Sequence, residues 1–247
     1  MKTAFLITAR LKSKRLPKKI ILKVMGKPLI VHMIDRIKHA KNVNKIILCT
    51  STNPQDDPLE KIALTQSIEC YRGSEDDVLM RLLCAAKEYN LEFFANITAD
   101  VPMIDPALID QGIDEYIHIK PDLVIPPEGY VGACNVVKVN ALDSVCKQKE
   151  ISDTEVWVRY FEKFHASIHT IKLDKKYRHM TLKTCLDYPE DYEFIQKVFG
   201  ELYDPIKPFS SLDIIDLVDR RPDLLDVNSN PNHLQRWIGH NKRILNL

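Results

Sequence analysis

The chain has 247 residues, of which 45% are hydrophobic, and a chain of this size buries the core of one large domain. Lysine and arginine total 35 against 34 aspartates and glutamates, so the net charge of +1 excludes an overall positive field for nucleic acid or membranes. Six cysteines without a CxxC pair favour buried thiols over a disulfide framework or a zinc site. No stretch approaches the ~20 apolar residues of a membrane span, and the expected location is the cytoplasm.

Predicted strands and helices alternate through the first half of the chain. Residues 3–8, "TAFLIT", are a short apolar run rich in strand formers and predict a buried first strand. Residues 28–41 begin with a proline at a helix-start position and place Ile30, Ile34 and Ile37 on one stripe, which predicts a helix. Further strands are predicted at 44–50, 68–73, 93–98 and 122–126, with helices at 57–66, 76–90 and 106–117. This alternation predicts an α/β fold with a mostly parallel sheet and helices on both faces.

The second half of the chain is less regular. Between residues 126 and 178 the sequence predicts a helix at 154–164 and a strand-like run at 166–173. We interpret residues 126–178 as an insertion, acting as a lid or a dimerisation region, within a single domain of residues 1–247. Two amphipathic helices and a polar tail complete the chain, with the helices predicted at 189–203 and 210–221.

Two loops with candidate ligand-binding side chains each follow a predicted strand. The first, "TARLKSKRLPKK" at residues 8–19, carries six basic residues directly after the first strand. The second, "ADVP" at residues 99–102, follows the strand at 93–98. Because ligands of parallel α/β sheets bind beyond the carboxyl ends of the strands, we expect both loops to belong to one active site.

The first loop carries groups that bind phosphate oxygens. The guanidinium groups of Arg10 and Arg15, the hydroxyl of Ser13 and the ammonium of Lys19 suit the oxygens of a triphosphate. Composition alone leaves a basic surface loop or a nucleic-acid arm as the alternative, but a position after a core strand favours phosphate binding. Because the motifs GxxxxGK[ST] and GxGxxG are both absent, a kinase or a dehydrogenase is disfavoured.

The loop and several later segments resemble one known family. "ARLKSKRLPKK" is similar to the ARxGSxRLPGK signature of the cytidylyltransferases, which include the CMP-acylneuraminate and CMP-Kdo synthetases and the SpsF-like spore-coat polysaccharide nucleotidyltransferases. The similarity continues in the family's order through "GKPLIVHMIDRIKHA", "TSTNPQDDPLEKIA", "YRGSEDDVLMR", "ITADVPMIDPALID" and "LDYPEDYEFI". This resemblance implies a Rossmann-like nucleotidyltransferase fold whose first loop wraps the triphosphate of CTP or another NTP.

The resemblance assigns nucleotide contacts to two segments of the chain. The implied phosphate contacts in the first loop are Arg10, Ser13, Arg15 and Lys19. Of these, the implied catalytic residues are Arg10 and Lys19, whose charges stabilise the departing pyrophosphate. Arg72 and Ser74, which flank Gly73, correspond to the segment that meets the nucleobase, and the alternative for Arg72 is a solvated strand end.

The resemblance also implies a magnesium site formed by Asp100 and Asp187. Mg²⁺ prefers carboxylate and phosphate oxygens, so two aspartates and the nucleotide are a sufficient set of ligands. The residues alone leave other interpretations open. Asp100 is suited to a helix cap or a turn before Pro102, and Asp187 to a cap for the helix that begins at Pro189.

Four positions depart from the family's pattern. Lys12 and Lys18 replace two family glycines, so the phosphate loop lacks the conformational freedom that those glycines supply. Asn96 stands where SpsF-like proteins usually have an arginine, and Met80 stands where an aspartate is common. We therefore expect an acceptor pocket that differs from the pockets of the relatives.

The leading hypothesis is an enzyme that transfers CMP from CTP to a sugar acid or sugar phosphate, releasing pyrophosphate, for surface-glycan biosynthesis. Within this class, the alternative is another phosphorylated or phosphonate acceptor, or another NTP. Outside it, the alternatives are a nucleic-acid-binding module and a catalytically silent family member, and retention of both aspartates disfavours the latter. The expected partners are CTP, a small-molecule acceptor and, by family analogy, a second copy in a homodimer with its contact near residues 130–139. Neither nucleic acid nor a membrane is an expected partner.

Overall fold

The computed structural model describes residues 3–154 and 157–227, and its central sheet is built around β1 (Ala4–Thr8). The other strands of the chain are β2 (Lys23–Val24), β3 (Lys27–Pro28), β4 (Lys45–Ser51), β5 (Glu69–Gly73), β6 (Phe93–Thr98), β7 (Leu123–Ile125), β8 (Asn135–Lys138) and β9 (Ile168–Thr170). Seven of these described strands form one sheet in the order β5–β4–β1–β6–β8–β7–β9, while β2 and β3 form a separate hairpin. The predicted strands therefore exist at the predicted places.

Parallel pairing dominates the sheet. β1 lies parallel to β4 on one side and to β6 on the other, and all five residues of β1 are buried. β5 is parallel to β4, and β9 is parallel to β7. β8 runs antiparallel to both of its neighbours, β6 and β7. A strand with parallel neighbours on both sides and helices above and below reads as a continuous apolar run, as "AFLIT" does.

Helices cover both faces of the sheet. The helices in the described residues are α1 (Leu29–Ile37), α2 (Asp57–Thr65), α3 (Val78–Glu88), α4 (Pro106–Ile119), α5 (Val139–Gln148), α6 (Val158–Lys163), α7 (Pro189–Leu202), α8 (Ser211–Arg220) and α9 (Asp223–Asp226). Side chains of α1, α2 and α4 join one apolar cluster with β1 and β6, and side chains of α3, α5 and α6 join a second cluster on the opposite face. The predicted α/β fold, with helices on both faces, is confirmed.

Residues 126–178 contain two elements that the sequence analysis did not predict, β8 and α5. The four residues of β8 are too few to show a period, and their strand conformation depends on hydrogen bonds to β6 and β7. The predicted helix at 154–164 is present as α6, except that residues 155 and 156 lie outside the described residues, and the strand-like run at 166–173 contains β9. A role of this region as a lid or in dimerisation stays a prediction.

The C-terminal helices form a third apolar cluster beside the sheet. Phe194 and Phe199 of α7 and Ile214 of α8 pack there with Leu29, the first residue of α1, and with Leu186. This packing brings the segment before α7 to the carboxyl end of β6. The predicted polar tail is described only as far as residue 227. Among the described helices, none has the length and apolar character needed to cross a bilayer.

Candidate active site

A cleft of about 390 Å³ opens at the carboxyl ends of β1 and β6. The residues that line it are Thr8, Ala9, Arg10, Lys12, Ser13, Lys14, Arg15, Lys19, Ile20, Asp76, Val78, Thr98, Ala99, Asp100, Asp153 and Trp157. The two loops predicted to share an active site, one after β1 and one after β6, therefore do lie together. This position beyond the strand ends is where ligands bind in parallel α/β sheets.

The loop after β1, residues 9–19, is held in place by backbone hydrogen bonds. The N–H of Ala9 donates to the carbonyl of Cys49, which extends the pairing of β1 with β4 by one residue. The N–H of Leu11 donates to the carboxylate of Asp56, which is fully buried and also accepts from the hydroxyl of Ser51. These hydrogen bonds fix the backbone of the loop, and most of its charged side chains line the cleft. Sequence reasoning missed Asp56, because its role depends on the loop that it meets.

The two lysines that replace family glycines differ in backbone conformation. Lys18 has φ of 55° and ψ of 27°, in the left-handed region that glycine adopts most readily. Lys12 is not among the described residues with positive φ. A loop with this course therefore requires a left-handed residue at position 18, and the lysine adopts it at a conformational cost of about 1–2 kcal/mol.

The ammonium of Lys19 lies between the two aspartates of the implied metal site. Its Nζ is 2.8 Å from Oδ2 of Asp100, 3.1 Å from Oδ1 of Asp187 and 2.6 Å from the carbonyl oxygen of Leu186. Burial alone would lower the pKa of Lys19, but the charges of Asp100 and Asp187 raise it above its ordinary value. Thr98 donates from its hydroxyl to the other carboxylate oxygen of Asp100, at 2.5 Å. Asp100 is thus oriented by both a neighbouring strand residue and a lysine.

Asp187 is surrounded by positive charge. Nη2 of Arg15 donates to its Oδ1 at 2.6 Å, and the ammonium of Lys183 is 3.4 Å from its Oδ2. Burial would raise the pKa of Asp187, but Lys19, Lys183 and Arg15 lower it below its ordinary value. The carboxylate that receives the backbone N–H groups at the start of α7 belongs to Asp191, which accepts from the N–H groups of residues 187 and 188. The geometry therefore gives the cap role to Asp191 and directs Asp187 into the cationic cluster.

The donor set around Lys19 fits a hard cation such as Mg²⁺. Two carboxylates and the carbonyl of Leu186 surround one positive charge, the Lys19 ammonium, so oxygens suited to a hard cation are gathered at this point. Within residues 3–154 and 157–227, no group of three acidic, histidine or cysteine side chains is placed to hold a metal. A magnesium ion held by Asp100 and Asp187 would therefore complete its shell with phosphate oxygens and water.

Arg72 and Ser74 are not among the residues that line the cleft. The Arg72 guanidinium donates to the carbonyl of Ser51 and to the carboxylates of Asp57 and Glu60, so it ties β5 to the start of α2. The hydroxyl of Ser74 accepts from the N–H of Asp77, just before α3. Their role at the nucleobase stays a prediction.

Part of the rim of the cleft comes from residues that sequence reasoning did not select. Asp153 and Trp157 lie across from the loop of residues 9–19. Their segment is tied to the start of α3, because Thr154 donates from its hydroxyl to Asp77 and Lys149 forms an ion pair with the same carboxylate. No local pattern points to these residues, since a contact across more than 70 positions brings them to the site.

The class of nucleotidyltransferase to which this α/β fold belongs follows from the sequence as a whole. The sequence profile described as "Cytidylyltransferase" matches residues 4–208, which is most of the chain. The chain therefore belongs to the cytidylyltransferase family.

Individual relatives agree with this assignment. The spore coat polysaccharide biosynthesis protein SpsF of Bacillus subtilis is 26% identical over 231 residues, covering 89% of this chain and 95% of SpsF. A cytidylyltransferase from Leptospira borgpetersenii superposes with a TM-score of 0.83 at 23% identity, over 91% of this chain and 97% of its own. CMP:2-keto-3-deoxy-manno-octonic acid synthetase, solved in complex with CTP, superposes with a TM-score of 0.66 at 14% identity, over 81% and 99% of the two chains. The last two similarities concern the fold alone.

Proposed function

We propose that this enzyme transfers CMP from CTP to a sugar acid or sugar phosphate, with release of pyrophosphate, in the biosynthesis of a surface glycan. The observation that carries the proposal is the convergence of Arg10, Ser13, Arg15 and Lys19 on one cleft with Asp100 and Asp187. CTP is favoured by membership of the cytidylyltransferase family, and a glycan precursor by the printed names of SpsF and of the octonic acid synthetase.

The chain's own residues supply positioning and charge for the reaction. The acceptor oxygen forms a bond to the α-phosphorus while the bond from that phosphorus to the bridging oxygen breaks, and pyrophosphate leaves on the opposite side. Arg10 and Lys19 contact the phosphates and stabilise the negative charge that develops on pyrophosphate, as Arg15 and Ser13 hold its oxygens. When bound by Asp100 and Asp187, Mg²⁺ supplies further neutralisation of charge at the α-phosphate and the leaving group.

Two residues near the cleft depart from the family's pattern and bear on the choice of acceptor. Asn96, which stands where relatives often have arginine, donates from its amide to the carbonyl of Leu6 and the hydroxyl of Thr8, and it is buried. Thr8 lines the cleft, so Asn96 lies directly behind the cleft wall and brings no positive charge there. Met80 is partly exposed on α3. Because of these two departures, the alternative to the proposed reaction is transfer to another phosphorylated or phosphonate acceptor, or transfer from another NTP.

The decisive experiment is a screen of pyrophosphate release with four NTPs against a panel of sugar acids, sugar phosphates and phosphonates. We expect release to require CTP, Mg²⁺ and one class of acceptor, and to be about 100-fold or more slower in Lys19→Ala. Release that depends on another NTP would change the base assignment and leave the reaction class in place. Without release from any pair of substrates, the proposed reaction would be wrong.

A second proposed feature is a homodimer in the cytoplasm, by analogy with the family. The contact predicted near residues 130–139 has a constraint, because Val131, Cys134, Val136 and Val137 are already buried within the chain. A contact there would have to use the half-buried polar residues of the same stretch. Sedimentation at micromolar concentration tests the oligomeric state, and a monomer would contradict the proposal.

Binding of nucleic acid is disfavoured by the pairing of the basic loop. Arg15 and Lys19 contact Asp187 and Asp100, and Lys12 lies 3.4 Å from Asp76, so much of the loop's charge is matched inside the cleft. We expect weak binding to random oligonucleotides. A steep fall of tight binding with added salt would revive the nucleic-acid hypothesis, since phosphate neutralisation releases counterions.

A further inference from the structure

Arg81 of α3 is a buried arginine for which the proposed reaction has no role so far. Its side chain is 1% exposed, and it lies one helical turn beyond Val78, which lines the cleft. Its Nη1 donates to the carbonyl oxygens of Ser74 at 2.6 Å and Glu75 at 3.2 Å. In the part of the chain that the structure describes, its Nε and Nη2 have no hydrogen-bond partner. Burial, and next the charge of Arg10, lower the pKa of Arg81 to about 10, so the group is charged at neutral pH.

The same carbonyl that binds Arg81 also binds an arginine of the cleft. Nη1 of Arg10 donates to the carbonyl oxygen of Glu75 at 2.6 Å. Arg10 also lies 3.6 Å from the carboxylate of Asp76, the next residue. The Arg10 guanidinium is therefore positioned by the turn at residues 74–76, and Arg81 holds that turn from its buried side.

The side chain and the main-chain carbonyl of Glu75 have different partners. The Glu75 carboxylate accepts from the side-chain amides of Asn53 and Gln55, and the Lys12 ammonium lies 3.5 Å from it. The side chain of Glu75 is thus anchored to the neighbouring loop, while its main chain joins Arg10 to Arg81. A displacement of this peptide would therefore change a hydrogen bond of the Arg10 guanidinium.

The arrangement is costly for a purely structural contact. Two guanidinium groups repel each other at one neutral acceptor, and buried N–H groups without partners cost free energy. Buried polar groups that stay unsatisfied in a folded protein often mark a functional requirement. A nucleotide triphosphate near Arg10 would add negative charge beside this pair of arginines.

We propose that Arg81 is a positioning residue for the nucleotide: it holds the peptides of Ser74 and Glu75 so that the Glu75 carbonyl directs the Arg10 guanidinium toward the phosphates. This inference rests on the proposed function, since it assumes that an NTP binds in the cleft. Arg81 itself touches no substrate in this scheme and acts through Arg10.

The test is a double-mutant cycle on CTP affinity, measured by calorimetry with Mg²⁺ present. We expect Arg81→Met to weaken CTP binding about tenfold, Arg10→Ala to weaken it at least as much, and the double variant to be no weaker than Arg10→Ala alone. Arg81→Lys, which retains a charged donor, is expected to recover part of the affinity. If Arg81→Met does not fold, the cycle is run with Arg81→Lys.

The chain offers a matched control in Arg36. It is also buried and donates to two main-chain carbonyls, those of Ile104 and Phe209, but it does not line the cleft. We expect Arg36→Met to lower the melting temperature and to leave CTP affinity unchanged. Equal effects of the two substitutions on affinity, or additive effects of Arg10 and Arg81, would overturn the positioning role alone. A wild-type protein that binds no NTP would overturn the positioning role and the proposed function together.

Discussion

Two concave regions of the molecule differ in how their charges are arranged. The α1–α4 groove, with a volume of about 900 Å³, is larger than the cleft of about 390 Å³. Its lining consists of His39, Lys41, Asn42, Pro106, Ala107, Asp110, Gln111, Asp114, Glu115, His118, Ile119 and Lys172. Its carboxylates are satisfied by close neighbours: Asp110 accepts from the N–H groups of Lys41 and Asn42, and Glu115 accepts from His169.

The cleft differs in that it concentrates basic side chains at one point. Five basic side chains of a single loop line it, and the aspartates that meet them come from the loop after β6 and the segment before α7. The pairs of the groove join α4 to the segment after α1 and to β9, and so hold secondary structure in place. Five basic side chains against three aspartates in its lining leave the cleft an excess of positive charge that suits a negatively charged ligand, so charge arrangement identifies the site where volume would select the groove.

The largest expected effect that separates the two regions is on turnover. Replacing Lys19 with Ala should lower kcat/KM about 100-fold or more, because it removes a charge-assisted contact to the triphosphate. Lys172→Ala removes an equal charge from the groove and should leave turnover unchanged. Both variants are assayed by pyrophosphate release, with circular dichroism to verify folding. Full activity of Lys19→Ala would show that the loop is a basic surface loop without a role in phosphate binding.

A second substitution asks whether Asp187 binds a metal. Asp187→Asn removes one negative charge and nearly preserves shape, so activity should fall about tenfold or more, and the melting temperature should also fall because Arg15, Lys19 and Lys183 lose a charged partner. Asn caps a helix about as well as Asp. If Asp187 only capped α7, the substitution would therefore change stability and turnover very little. Turnover is measured across a magnesium titration, with Asp114→Asn in the groove as the control. Wild-type activity at low magnesium would remove Asp187 from the metal site.

Nucleotide binding should appear as thermal stabilisation that depends on the cleft. CTP with Mg²⁺ at about a hundred times Kd adds roughly 2.7 kcal/mol to the free energy of unfolding, or about 5–10 °C in melting temperature. ATP should give a smaller shift. The shift with CTP should be reduced in Lys19→Ala and kept in Lys172→Ala. Equal or greater stabilisation by ATP would contradict the base preference.

The smallest effect concerns the groove alone. Burial would raise the pKa of Glu115, but hydrogen bonds from His169, Gln111 and the N–H of Lys172 lower it below its ordinary value. A carboxylate with a lowered folded pKa stabilises the fold above its unfolded pKa of about 4.3, and this contribution is lost as the pH falls through the folded pKa. Glu115→Gln should therefore melt about 1–2 °C below the wild type at pH 7.

The pH dependence of that difference is the measurement that matters. Melting curves of both proteins between pH 7 and pH 3 should converge as the pH falls below about 4, since the wild-type carboxylate then also becomes neutral. Turnover should be the same in both proteins at pH 7. A difference that persists at pH 3 would assign the effect of Glu115 to packing.

Local patterns were sufficient for the elements that carry the phosphate loop. β1 is a run of apolar residues buried by parallel neighbours, and the basic residues follow it directly in the sequence, so both the strand and its loop could be predicted. Asp100 was placed in the same way, two residues beyond the end of β6. The chemistry of the loop itself indicated Arg15 and Lys19 as phosphate contacts, and only the resemblance to the family supplied Asp187 as a metal ligand.

Other features required the tertiary structure. The strand β8 has four residues and exists because two neighbouring strands pair with it. Arg72 lies at the predicted strand end, yet the direction of its guanidinium is determined by acceptors in the segment at residues 51–60. Asp153 and Trp157 reach the rim through contacts with α3 that no local spacing encodes.

By itself, the sequence determined the order of strands and helices and the chemical groups at each strand end, because burial periodicity and loop composition are properties of neighbouring residues. Only the tertiary structure decided which of those groups meet. Arg15 and Asp187 are 172 positions apart, and they come together because the third apolar cluster packs α7 beside the sheet. Contacts at that separation depend on the packing of the whole domain, so the charge arrangement that defines the site appears only once the chain is folded.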